Sequence, residues 1–248
     1  MANWKMNPAT TSDALRIFSN LSKKMMRPKC EVVIAPSALH LTSLRSLIKK
    51  PYVLGAQNAH PKDGGPHTGN VSARMLYAAG VRAVIIGHSE LRAEGESDTQ
   101  VNEKVRALLA LSIAPIICVG ETVRDTHGKY YGTVELQLRH ALQGVKKSEV
   151  EKVVVAYEPV WAISGGDGMG QTATPHDAHE MKLFIQKVLV ELYGRAIAMR
   201  VRVLYGGSVN DTNAEVLMRE GEVDGFLVGG ASLKPEQFAK IISVVTSL

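Results

Sequence analysis

The chain has 248 residues, 45 % of them hydrophobic, and its 29 Lys and Arg against 24 Asp and Glu give a formal net charge of +5. That length buries a sizeable core without disulfides or a structural metal, and the only two cysteines, Cys30 and Cys118, read as free thiols of a reducing compartment. The basic excess is scattered in pairs such as Lys23-Lys24 and Lys146-Lys147, without the basic stripe and aromatic platforms of a nucleic-acid binder, and no apolar run reaches the length that crosses a bilayer.

The opening Met1-Ala2-Asn3-Trp4-Lys5 carries no apolar signal-peptide core, so the expected location is the cytoplasm. It reads as a strand stub. Seven β-branched apolar runs follow, at 32–35, 52–55, 83–86, 116–119, 153–157, 201–205 and 225–228, and they read as buried parallel strands. Segments of helical period lie between them. The clearest begins with Thr174 as N-cap and Pro175 at the first helical position, and it sets Ala178, Met181, Phe184, Ile185, Val188, Leu189 and Leu192 on one face. Strand, loop and helix repeat eight times with no Pro- or Ser-rich linker. The expectation is a single domain over 1–248, an α/β fold of the closed (β/α)8 barrel type with a truncated first strand.

Polar residues fall where strand runs end: Asn3 and Lys5, Gln57 and Asn58, His88 and Glu90, Glu121, Glu158, Ser208, and Gly229-Gly230. In such a barrel those ends converge on one face, so they are expected to share one pocket. Glu158, followed by a proline and then a glycine-rich stretch, suits a general base that takes a proton from a carbon beside a carbonyl. Seen alone, a strand-end Glu is more often a salt-bridged or capping residue. His88 could donate a hydrogen bond to a substrate oxygen and shuttle protons, or be a core histidine satisfied by backbone. Lys5 is a fixed cation for an enediolate or a phosphate. Tyr205-Gly206-Gly207-Ser208 and Val228-Gly229-Gly230-Ala231-Ser232 follow the last two strands, where barrels hold a phosphate on bare backbone amides.

Two other patterns are set aside. Gly166-Asp167-Gly168-Met169-Gly170 lacks the spacing of a dinucleotide loop and reads as a flexible lid. His176 and His179 stand three apart beside Glu180 without a third ligand, and they read as surface rather than as a metal site. The residues leave open an isomerase, another phosphate-binding barrel such as a pentose-phosphate epimerase, and a catalytically impaired sugar-phosphate-binding protein.

Five separated motifs occur in order: Asn3-Trp4-Lys5-Met6-Asn7, Gly87-His88-Ser89-Glu90, Ala156-Tyr157-Glu158-Pro159-Val160-Trp161-Ala162-Ile163, Tyr205-Gly206-Gly207-Ser208-Val209 and Val228-Gly229-Gly230-Ala231-Ser232-Leu233. Together they resemble the triosephosphate isomerase family across essentially the whole chain. The resemblance implies a TIM barrel that interconverts dihydroxyacetone phosphate and D-glyceraldehyde 3-phosphate in glycolysis and gluconeogenesis, without metal or cofactor. It assigns Glu158 as the base, His88 as the electrophile, and Lys5 as the charge that stabilises the intermediate, with Glu90 close by. Asn3 and Lys5 bind substrate in that assignment, and Ser208, Gly229 and Gly230 hold the phosphate.

It also implies a homodimer through a loop like Gly64-Gly65-Pro66-His67-Thr68-Gly69-Asn70, with Thr68 at the tip. The family's interface ion pair is replaced at both ends, by Asn70 and Leu91; losing both partners avoids a lone buried charge, so the dimer is expected to survive. Two departures carry further expectations. With only Met1 and Ala2 before Asn3, where a strand commonly runs to about five or six residues, strands two and eight should close poorly and Lys5 should be loosely held. The 164–171 stretch is longer and richer in glycine than the family's lid, so closing it should cost more entropy, lower turnover and let more phosphate be eliminated.

Overall fold

A computed structural model describes residues 1–162 and 173–247. The β-branched runs form one parallel sheet in chain order: β1 (Ala2–Asn3), β2 (Val32–Ala35), β3 (Tyr52–Ala56), β4 (Ala83–Ile86), β5 (Ala114–Val119), β6 (Val154–Tyr157) and β7 (Arg202–Tyr205). Every residue of β2, β4 and β6 is buried, as expected of parallel strands covered on both faces. Alternation divides them. Val33, Ala35, Ile85, Ile116, Cys118, Val154, Ala156 and Leu204 pack with one another inside the sheet's curl. Ile34, Ile86, Ile117 and Val155 join the larger core between sheet and helices.

The run at 225–228 completes the curl through two isolated parallel bridges, Phe226 to Tyr205 and Val228 to Ala2. Leu227 N–H donates to Tyr205 O at 2.9 Å, Val228 N–H to Met1 O at 2.8 Å, and Asn3 N–H to Val228 O at 2.8 Å. It therefore does a strand's work with fewer bonds than the regular strand expected, because its neighbour β1 is only two residues long.

Closure holds at the level of Met1 to Asn3 and stops below it. β1 pairs only with Ile34 and Ala35 of β2, and a cavity of about 150 Å³ lies beneath, lined by Val32, Val33, Phe226, Phe238, Ile241 and Ile242 among others. The weak seam foreseen between strands two and eight is thus confined to the amino-terminal end of the barrel. The opposite end, where Lys5 sits, is firmly built.

The helix Pro175–Tyr193 starts as its sequence predicts, with a capping box between Thr174 and Asp177 and a proline in its first turn. Ala178, Met181, Ile185, Val188 and Leu189 are buried on it, while Phe184 and Leu192 pack at the edge of the core. Among the described residues no helix is long and apolar enough to cross a membrane.

Phe238 is 2 % exposed and lies on the wall of the amino-terminal cavity. Phe238→Ala should lower the unfolding free energy by about 3–5 kcal/mol, the usual cost of deleting a buried aromatic ring. Chemical denaturation measures it, and a loss below about 1 kcal/mol would mean that this wall relaxes freely into the gap.

Candidate active site

β4 and β6 flank β5 in the sheet, and their ends bring the two main chemical candidates together. Glu158 follows β6 directly and is 2 % exposed; its N–H donates to Val119 O at 2.8 Å. His88 stands just past β4 and is 8 % exposed. The two side chains meet with His88 Nε2 at 3.1 Å from Glu158 Oε1, while Ser89 N–H donates to Glu158 Oε2 at 2.8 Å. This close approach requires Gly120. A Cβ there would lie 1.8 Å from the Glu158 carbonyl oxygen, far inside contact distance, so no other residue fits beside the end of β6.

Protonation follows from these contacts. Burial pushes the Glu158 carboxyl above the ordinary carboxylate range, and its bonds to His88 and Ser89 pull part of the way back. Cys118 also touches this carboxylate, and burial holds its thiol well above the usual value. Glu90 N–H donates to His88 Nδ1 at 3.2 Å. Nδ1 therefore carries the lone pair and Nε2 carries the hydrogen, on the side that faces Glu158.

Lys5 adopts a left-handed backbone, φ 52°, which costs a residue with a Cβ of order 1–3 kcal/mol unless its surroundings enforce it. Here they do. Lys5 N–H donates to Asn3 Oδ1 at 3.0 Å, Gln57 Nε2 donates to Lys5 O at 2.8 Å and to Ala35 O at 3.0 Å, and Lys5 Nζ pairs with Glu90 at 2.6 Å. The loosely held lysine expected from the short first strand is therefore not found, because besides Asn3 on β1 its anchors lie on the segment after β3 and beside His88.

A cavity of about 450 Å³ opens above these groups and gathers Asn3, Lys5, His88, Glu158, Ser208, Gly229 and Gly230. Lys234 and Gln237 line it as well, and nothing in the sequence reading singled them out. The expectation of one shared pocket fails for Gln57, Asn58, Glu90 and Glu121, none of which is among its lining residues. Strand alternation explains Asn3, Glu158, Glu121 and Asn58, whereas His88, three residues beyond inward Ile85, reaches the cavity because Gly87 at φ 73° breaks the alternation just before it. Ala35 and Ala156 point inward, so Asn3, paired with Ala35, and Glu158, two residues beyond Ala156, do too. Cys118 points inward, so Glu121, three residues on, points away. It is 1 % exposed and accepts from Tyr157 at 2.9 Å, Trp161 at 2.7 Å and Arg124 at 3.1 Å. Asn58 likewise turns out to Lys104 at 2.9 Å, while Gln57 is committed to backbone and Glu90 to Lys5.

His176 is exposed as read, but His179 is half-buried, with Nδ1 3.8 Å from Glu222. Ile163 of the third motif, the 164–171 stretch and its glycines at 166–170 lie outside the described residues.

The chain matches the family model described as triosephosphate isomerase over residues 1–245. It is 45 % identical over 244 residues to a triosephosphate isomerase of Caldanaerobacter subterraneus subsp. tengcongensis, covering 97 % of this chain and 96 % of that protein. Relatives of the same name from Thermoanaerobacter pseudethanolicus and Clostridium botulinum strain Langeland are 42 % and 41 % identical over the same shares.

Because the folded chain raises the Glu158 carboxyl above its unfolded value, the folded state binds more protons than the unfolded one between the two values. Stability therefore falls as pH rises through that window. Glu158→Gln removes the burden, and it should melt above the wild type at pH 8, with the gain shrinking as pH falls. A variant that melts lower at pH 8 would mean that the carboxylate stabilises the fold.

Proposed function

The chain belongs to the triosephosphate isomerase family, and from that membership we propose that Glu158, His88 and Lys5 carry the interconversion of dihydroxyacetone phosphate and D-glyceraldehyde 3-phosphate through an enediolate. The observation that supports this assignment is the 3.1 Å approach of His88 Nε2 to Glu158, a base and a hydrogen-bond donor side by side on the wall of one cavity.

Glu158 exchanges its resting bonds with Ser89 and His88 for the substrate and removes a proton from the carbon next to the carbonyl. Burial makes it a stronger base than an ordinary carboxylate. His88 Nε2–H donates to the carbonyl oxygen as charge develops there, and the ring then moves a proton between the two adjacent oxygens. Lys5 opposes the enediolate's negative charge from a position fixed before substrate arrives. Glu158 returns its proton to the neighbouring carbon. The phosphate lies against the amides of Ser208, Gly229 and Gly230, and no metal or organic cofactor takes part. This chemistry serves glycolysis and gluconeogenesis.

In a coupled assay with dihydroxyacetone phosphate, Glu158→Gln should lower kcat by about 10³-fold, within the range for a lost general base. A wild type that binds the substrate without turning it over would favour the impaired, sugar-phosphate-binding alternative.

We also propose a homodimer, a single domain over 1–248 and a cytoplasmic location. The dimer is supported by family membership and by exposed Thr68 and Asn70 in the 64–70 loop. One sheet supplies all the proposed site residues from its strand ends, which favours one domain. The free thiols Cys30 and Cys118 suit a reducing cytoplasm. Sedimentation at micromolar concentration should show a dimer that Thr68→Arg dissociates; a monomeric wild type would end this part of the proposal.

A further inference from the structure

The loop after β7 is more ordered than a glycine turn requires. Ser208, Val209 and Asn210 line the cavity from this side, and Asn213 stands behind them, outside its lining. The Asn213 amide is used in both senses: Nδ2 donates to Ser208 O at 2.9 Å, and Oδ1 accepts the Asn210 N–H at 2.8 Å. Asn210 answers through its own Oδ1, which accepts the N–H groups of Thr212 at 2.9 Å and Asn213 at 3.0 Å and the Thr212 hydroxyl at 2.6 Å. Two asparagines three residues apart thus close the turn on itself.

Asn210 caps the helical turn that follows: its Oδ1 takes the Thr212 and Asn213 N–H groups and its carbonyl takes the Ala214 N–H at 3.1 Å. Asn213, helical at φ −107° and ψ −12°, answers Asn210 through Oδ1 as in a capping box. Its Nδ2 is left over, and it reaches back to Ser208 of the cavity loop. Because a peptide is planar and trans, holding the Ser208 oxygen on Asn213 also fixes the Val209 N–H in the opposite direction. Main-chain donors already held in place lose less freedom when an anion arrives.

We propose that Asn213 is a positioning residue for the substrate's phosphate: by pinning Ser208, it presets the main-chain amides after β7 without touching the substrate. The inference rests on the isomerase assignment above only in placing a phosphate at this loop.

The test compares wild type, Asn213→Ala and Asn213→Asp in three measurements: kinetics with D-glyceraldehyde 3-phosphate, inhibition by inorganic phosphate, and turnover of phosphate-free D-glyceraldehyde. Both variants should raise KM and weaken phosphate inhibition about tenfold, the effect of one lost hydrogen bond. Their kcat should stay within about threefold, as for a lost binding contact, and D-glyceraldehyde should turn over unchanged. A KM and phosphate inhibition like the wild type's would overturn the proposal, and so would an equal loss with the phosphate-free substrate. Asn213→Asp keeps the acceptor for Asn210 but replaces the donor by a charged oxygen, so it is read at high salt, where through-space repulsion of phosphate is screened and a loss that persists reports the missing donor. Read in that way, it decides the matter if the alanine variant does not fold. An inert wild type would count against the isomerase assignment instead, while phosphate binding by wild type and variant would still judge Asn213.

Discussion

A carboxylate kept out of water is what the site is built around. Glu158 is nearly enclosed, and its environment resists ionisation before any substrate is present. A charge in that position needs compensating dipoles, and the fold supplies them: the Ser89 N–H, the Nε2–H face of His88 and the Cys118 thiol. These are groups a substrate can displace or share. Those contacts lower the carboxyl's basicity while burial raises it, so in the proposed mechanism exchanging them for substrate leaves the base stronger.

The scaffold sets this contact by geometry on a sub-ångström scale. Glu158 and His88 come from strands separated by β5, and Gly120 at the end of β5 lets the chain at Glu158 come closer than any side chain would allow. Gly206 acts from the other side, with its N–H on Tyr157 O at 2.7 Å and an absent Cβ that would meet Glu158 Cγ at 3.0 Å. Lys5 is treated alike, its unfavourable backbone enforced by Asn3 and Gln57. Each group proposed to react is thus positioned by neighbours outside the proposed chemistry, the arrangement that preorganised catalysis requires.

The strands were legible because parallel strands buried on both faces leave continuous β-branched runs, and the helix from Pro175 because its cap and its apolar face agree. The motifs pointed to Glu158, His88, Lys5, Asn3 and the two glycine turns, and all of these line one cavity. Face parity was not legible. A strand end read one residue out reverses the inward and outward sets, which is why Glu121 and Asn58 were expected in a pocket from which alternation turns them away. Nor could the sequence show that Gln57 serves the backbone of Lys5, a hydrogen bond that spans 52 residues. The 225–228 run reads as an ordinary strand, yet its pairing depends on how little of β1 stands beside it.

Isomerisation of dihydroxyacetone phosphate in D2O tests most directly whether one buried base moves the proton between carbons. If Glu158 does so and exchanges with solvent while the enediolate exists, the D-glyceraldehyde 3-phosphate formed should carry deuterium at C2, and the wild type should also wash deuterium into unreacted substrate at C1, whereas Glu158→Gln should do neither. Wash-in by Glu158→Gln at the wild-type rate would contradict it, because another group would then be taking the proton.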